Sequence, residues 1–224
     1  MSTEFVYTAL IDVLSYRNRL YHDVQSGKES FKDDLLNSLS IFDYVNNAIF
    51  NVQAISDTII ITCNSHDRFV EFLNLLRKVF ISFMNRGLFI RGGVAYSKHF
   101  QSGRITYSHA VARAYEIESK EAIYPRIVID RNILDMYTTG KDLPKIFNEG
   151  LLVKQNDIVF LNIVDANNWQ NVYEMAADIY SKSRSELGGN EVAFQKHSWF
   201  EQYLFSSACA SEGAVRYISV PELI

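Results

Sequence analysis

A chain of 224 residues, 48% of them hydrophobic, is long enough to bury a sizeable core without disulfides or a structural metal. Its formal net charge of −4 argues against a general nucleic-acid binder, which carries a net basic stripe, but leaves open small anions held through a metal. The two cysteines, Cys63 and Cys209, supply neither a disulfide framework nor paired zinc-ligand spacing, so both are expected to be reduced and packed. Met1-Ser-Thr-Glu-Phe5 lacks the regions of a signal peptide, and no apolar run approaches the roughly 20 residues that cross a bilayer. A cytoplasmic protein without membrane insertion is the expectation. No repeat, basic tail or low-complexity block divides the chain, which points to one domain over 1–224.

In chain order, the nearly continuous apolar run Phe5 to Leu14 predicts a central strand covered on both faces. A polar loop through Gly27 leads to Phe31–Val45, where Leu35, Leu36, Leu39, Phe42 and Val45 recur at helical spacing. Ala48 to Cys63 predicts a hairpin, with β-branched Thr58-Ile-Ile-Ile-Thr62 as its second strand and a turn among Asn51 to Ser56. Asp67 to Asn85 places seven apolar residues on one helical face, and Gly87 is positioned to end that helix. Leu88 to Tyr96 predicts a strand interrupted at Arg91-Gly92-Gly93, where backbone or ligand can approach closely. Tyr107 to Lys120 predicts a helix, and Tyr124 to Ile129 a short strand. Ile158 to Ile163 predicts a further strand, and Trp169–Leu187 and Ala193–Ala210 long helices whose bland role is to complete the core or to dimerise. The order implies an α/β or α+β sheet with helices packed on it.

Two acids break the apolar pattern. Strand alternation puts Asp12 on one face with Leu10 and Leu14, and Asp57 on one face with Ile55, Ile59 and Ile61. A carboxylate withdrawn from water costs several kcal/mol unless a cation or hydrogen-bond donors compensate it. If the two strands pair, side chains directly opposite stand about 5 Å apart at Cβ, close enough to share Mg²⁺ or Mn²⁺. The plainer alternative is that each aspartate caps a turn. His22, His66, His99, His109 and His197 show no close pair at helical metal-ligand spacing and are read as non-ligands.

The segments around these acids resemble a known family. Leu10-Ile-Asp12-Val-Leu-Ser-Tyr16 and Ile55-Ser-Asp57-Thr-Ile-Ile-Ile61 resemble the two metal-binding strands of class III nucleotide cyclases. Leu88-Phe-Ile-Arg91-Gly-Gly-Val-Ala-Tyr96, Ala114-Tyr-Glu116-Ile-Glu118 through Tyr124-Pro-Arg126, and Lys196-His-Ser-Trp199 resemble the bacterial pyrimidine cyclases of the Pycsar antiphage system. The resemblance implies a ferredoxin-like central sheet flanked by helices, with added C-terminal helices. It further implies a homodimer with active sites at the subunit interface, and two divalent cations, Mg²⁺ or Mn²⁺, in each site. The implied reaction converts UTP or CTP, with UTP favoured, to the 3′,5′-cyclic mononucleotide and pyrophosphate, and the product activates a separate effector.

By the same resemblance, Asp12 and Asp57 are the metal carboxylates, with Ile11 beside them in the ligand set. Backbone amides around Val13, Leu14 and Ser15 are expected to cradle phosphate oxygens. The Asn and Arg that purine cyclases carry one turn apart on the helix at 107–120 are not matched here. Arg113 near the Asn position, or Arg91 beside the two glycines, are candidates to meet transition-state charge and substrate, unless the first is a surface arginine and the second an ion-pair partner. Phe50 and Asn51 could replace the missing base-reading pair by stacking and amide hydrogen bonding, or could pack and form a turn. The departures also leave open a cyclase-fold homodimer that binds nucleotide or a partner without turnover.

Overall fold

The computed structural model describes residues 4–102, 105–139 and 143–218. Contacts divide the chain into two compact units, Met1–Asn162 and Ile163–Ile224. The first unit holds strands β1 (Glu4–Val13), β2 (Phe50–Ile55), β3 (Thr58–Cys63), β4 (Ile90–Ser102), β5 (Ile105–Ser108), β6 (Ile127–Ile129), β7 (Leu152–Gln155) and β8 (Ile158–Leu161). Its helices are α1 (Tyr16–Ser26), α2 (Ser30–Leu39), α3 (Phe69–Met84), α4 (His109–Lys120), α5 (Arg131–Thr139) and α6 (Leu143–Asn148). The sheet runs β2-β3-β1-β4-β6-β8-β7, with β5 added to β4. Among the described residues only β4 and β6 pair in parallel. The first four strands follow the ferredoxin-like order and are antiparallel throughout. The expected mixed α+β class with a ferredoxin-like core is therefore borne out.

Strand alternation sorts β1 onto two covered faces. Tyr7, Ala9, Ile11 and Val13 are all buried. On that face Tyr7 stacks on Phe69 of α3, and Phe50, in register with Cys63 and through it with Tyr7, stacks on Phe72. The opposite face, holding Thr8, Leu10 and Asp12, lies under α4. Gly93 pairs with Leu10, and a Cβ built there would stand 2.4 Å from the Ala114 carbonyl oxygen and 2.9 Å from the Glu118 nitrogen. The Gly-Gly interruption is thus filled by the chain's own backbone: α4 rests on Gly93 and β1 on Gly92.

Several elements depart from the sequence expectation. The polar loop at 15–27 is helix α1, which buries no residue and so carries no apolar stripe to reveal it. Its end was readable in principle: Gly27 takes a left-handed φ of 65°, and Asp23 accepts hydrogen bonds from the Ser30 hydroxyl and the Phe31 amide to start α2. The hairpin turns at Ser56-Asp57 instead of within 51–56, because β2 stays paired to Ile55 opposite Thr58. β4 continues to Ser102 and pairs with β5, so α4 begins at His109, where Ser108 caps it by accepting from the Val111 amide. α6 and β7 are too short to show periodicity.

The second unit is built on α7 (Trp169–Leu187) and α8 (Glu191–Ser206), the added C-terminal helices of the expected fold. Trp169 Nε1 donates to the Leu204 carbonyl, and buried Glu201 accepts from Arg216 and from the Ile218 amide, tying the following segment down. Tyr180 meets His197 edge-on. Burial, with a smaller contribution from Lys196, lowers the His197 pKa to about 4. The neutral ring is therefore the folded form, whereas the unfolded chain protonates near pH 6.5. Stability is complete above pH 6.5 and falls as pH drops toward 4, by roughly 3 kcal/mol at most. Melting temperature measured across pH 7 to 4 is expected to fall more steeply for the wild type than for His197→Gln.

Candidate functional site

Asp12 lies one residue before the end of β1, flanked by β3 and β4. Its register partners are Thr58 on β3 and Arg91 on β4, so these side chains share the α4 face. Asp57 follows Ser56, which bears a φ of 60°, in the two-residue connection before Thr58. The Val13 amide donates to the Asp57 carbonyl at 3.0 Å, which holds the turn against the end of β1. Asp12 and Asp57 thus stand at one end of two adjacent strands, offset by one residue instead of directly opposite. The offset arises because the hairpin closes on the Ile55–Thr58 pair and leaves Asp57 outside the ladder.

Half-buried Asp12 already has a counter-charge. Arg91 Nε donates to Asp12 Oδ2 at 3.1 Å, and Arg91 Nη2 pairs with Glu118 Oε1 on α4 at 2.7 Å. Arg91 and Asp12 side chains are each 23% exposed and Glu118 only 5%. Arg91 is accordingly an ion-pair partner within the fold, not a side chain projecting toward substrate. Among the described residues no group of three or more His, Cys, Asp or Glu forms a metal cage. That donor set still fits Mg²⁺ or Mn²⁺, which bind through one or two carboxylates and complete their shells with water and phosphate oxygens. Asp12 and Asp57 are the two that would serve.

Other sequence candidates are corrected by their surroundings. Ile11 has a fully buried side chain on the face opposite Asp12, with its register partners Ile59 and Gly92 on either side, so its side chain offers a metal nothing and its one potential ligand is the backbone carbonyl. The amides of Val13 and Leu14 donate to the carbonyls of Asp57 and Phe89 and are not available to phosphate. Ser15, at φ 64°, instead starts α1, and the Arg19 amide donates back to it. Helix geometry leaves the first-turn amides of α1, Tyr16 to Asn18, without intrahelical carbonyl partners, and exposed Arg17 lies among them. Treating 15–27 as loop hid this helix start. Phe50 is 3% exposed and stacked on Phe72, so it belongs to the core. Asn51 points to the other face, where its Nδ2 donates to Gln101 Oε1 at 2.8 Å. It lines a cavity of about 390 Å³ together with Glu4, Val6, Thr62, His99 and Gln101.

Arg113 is also corrected. Its Nε and Nη2 donate to Asp130 at 3.0 and 3.1 Å, and its Nη1 to Glu116 at 2.9 Å. The hydrogen bonds to Asp130 raise the Arg113 pKa further, against the smaller opposing effect of partial burial. A guanidinium committed to two carboxylates ties α4 to the end of β6 and is not poised to meet phosphate charge. Arg113→Gln leaves buried Asp130 without its cation and is expected to cost about 2 kcal/mol in urea unfolding, less than a fully buried pair because Arg113 is partly exposed. Nucleotide turnover per folded molecule should stay within about threefold of wild type.

No family model matches the chain, and no curated protein does. Among solved structures it is similar to the monomeric guanylyl cyclase domain of the RhoGC fusion protein from the aquatic fungus Blastocladiella emersonii, at 13% identity and TM-score 0.47, covering 70% of this chain and 94% of that one. It is also similar to the GTP-bound guanylate cyclase domain of RhGC from Catenaria anguillulae, at 11% identity and TM-score 0.46, covering 72% and 98%. A bacterial light-regulated adenylyl cyclase gives 8% identity and TM-score 0.46, covering 80% and 100%. Likenesses this low assign nothing by themselves. No helix among the described residues is long and apolar enough to cross a membrane.

Proposed function

We propose that this chain is a nucleotide cyclase that turns a pyrimidine nucleoside triphosphate, UTP ahead of CTP, into its 3′,5′-cyclic monophosphate and pyrophosphate. The observation that carries this reading is the backbone proximity of Asp12 and Asp57, from separate segments, at one strand end beside the start of α1, where the Val13 amide donates to the Asp57 carbonyl. Divalent cations bound there would favour ionisation of the ribose 3′-hydroxyl and neutralise the triphosphate. The chain's own part is to hold and orient. Asp12 and Asp57 supply oxygen ligands, and the first-turn amides of α1 with Arg17 receive the β- and γ-phosphates. A bond forms between the 3′-oxygen and the α-phosphorus, the bond to the β-phosphate oxygen breaks, and the hydroxyl proton passes to solvent. No protein nucleophile takes part.

The chain is proposed to act as a homodimer. Asn51 and its cavity lie on the same sheet face as Asp12, but Asn51 is in register with Thr62 and Thr8, four residues from Asp12 along β1. That is about 13 Å along the strand and two strand spacings, about 10 Å, across it. A second copy facing the first could bring the cavity of one against the carboxylates of the other. The cavity's volume falls within the usual range for small ligands, and its amides and histidine suit the edge of a base. The product's role as an antiphage second messenger for a separate effector is carried by the motif resemblance.

A second reading, nucleotide binding without turnover, is favoured by one observation: Arg91 and Arg113 are both held by carboxylates. Offering the purified chain equimolar ATP, GTP, CTP and UTP with Mn²⁺ separates the two. Consumption of UTP or CTP to a cyclic product supports the cyclase. Retention of bound, intact triphosphate supports the binding protein, and consumption of purines alone contradicts the pyrimidine assignment.

A further inference from the structure

The Asp12–Arg91–Glu118 row joins a proposed metal ligand to a buried acid on α4. Arg91 faces Asp12 across the β1–β4 ladder. Its guanidinium divides between Asp12 Oδ2 at 3.1 Å and Glu118 Oε1 at 2.7 Å, with the Ala122 carbonyl accepting from Nη1 at 3.5 Å. The Glu118 backbone is held in place, because its nitrogen lies against Gly93 where α4 rests on β4. The contact to Glu118 is an ion pair outside hydrogen-bond geometry, whereas Arg91 Nε hydrogen-bonds Asp12, so the pull of Glu118 on Arg91 is one of charge.

We infer that Glu118 is a positioning residue that draws Arg91 off Asp12 and so keeps Asp12 available to a divalent cation. This rests on the proposed metal-binding role of Asp12. Two acids sharing one arginine present more negative potential at Asp12 than one acid facing it alone. Without the Glu118 charge, Arg91 falls wholly on Asp12, and a cation must compete with a full ion pair. Gln retains the size and an oxygen acceptor, so Glu118→Gln alters charge with little change in packing.

The test is titration of the full chain with Mn²⁺, reading free Mn²⁺ by its electron paramagnetic resonance signal, without nucleotide. Wild type should bind, and Asp12→Asn should lose binding. Glu118→Gln should raise the Mn²⁺ Kd on the order of tenfold. Glu118→Asp, which keeps the charge, should stay closer to wild type than Gln does. The double variant Glu118→Gln with Arg91→Gln should recover affinity relative to Glu118→Gln, because the competing cation has gone; a merely structural glutamate would show no such rescue. An unchanged Kd in Glu118→Gln, or a double variant no better than the single, overturns the inference while leaving Asp12 a ligand. Absence of Mn²⁺ binding by the wild type removes the metal reading of Asp12 and this inference together.

Discussion

Asp57→Asn is expected to lower kcat/KM for cyclic nucleotide formation by at least about 10³-fold, or about 4 kcal/mol of transition-state stabilisation, while leaving the fold intact. The contrast follows from where Asp57 stands. It is half-exposed, in a two-residue turn outside the ladder, and its structural contribution is a backbone carbonyl accepting from Val13, which asparagine retains. Substitution at such a position stays within about 0.5 kcal/mol in stability. The amide, however, has lost the charge that binds a hard divalent cation. Turnover and melting temperature measured on the same preparation check both halves. Activity within tenfold of wild type would remove Asp57 from the site, and collapse of the fold would make its role structural.

Gly93→Ala is the largest stability effect expected. The new methyl would meet the Ala114 carbonyl oxygen at 2.4 Å, the Ile117 Cβ at 2.8 Å and the Glu118 nitrogen at 2.9 Å. Two of these are helix backbone, so relief requires moving α4 away from β4 and not merely turning a side chain. Overpacking of this kind costs roughly 3 kcal/mol, enough to lower the melting temperature by roughly 6 to 12 °C in a chain of this size. Because Glu118 moves with α4, Mn²⁺ affinity should fall as well. Gly27→Ala is the control: it meets no atom within 4 Å and carries only the strain of its φ of 65°, about 1 kcal/mol. Equal losses in the two variants would mean that α4 can yield without cost.

What the sequence disclosed and what it hid follow from the same physics. An acid in an apolar strand is anomalous in the sequence itself, so Asp12 stood out, and the Ile59-Ile60-Ile61 run fixed the strand after Asp57. Pairing partners are not local. Nothing near Asp12 in sequence announces Arg91, 79 positions away, or shows that Arg91 is shared with Glu118. Phe50 and Asn51 illustrate the limit of composition, because one residue of register sends the ring into the α3 core and the amide to the opposite face. Helix α1 escaped because a helix that buries no side chain has no apolar period, and with it went the amides of Tyr16 to Asn18 and the Arg17 charge. Arg113 was chosen from its place on α4, but the buried carboxylate of Asp130, which takes up its guanidinium, becomes visible only when β6 is laid beside β4.

The central claim, that the Asp12–Asp57 end of the sheet performs metal-dependent cyclisation, is tested most directly by product stoichiometry. Purified chain incubated with UTP and Mn²⁺ should release one pyrophosphate for each cyclic UMP formed, with CTP the next best substrate, and chelation of the metal should stop both products together. Failure to form any cyclic nucleotide from the four triphosphates, or cyclic product that persists undiminished after chelation, would contradict it.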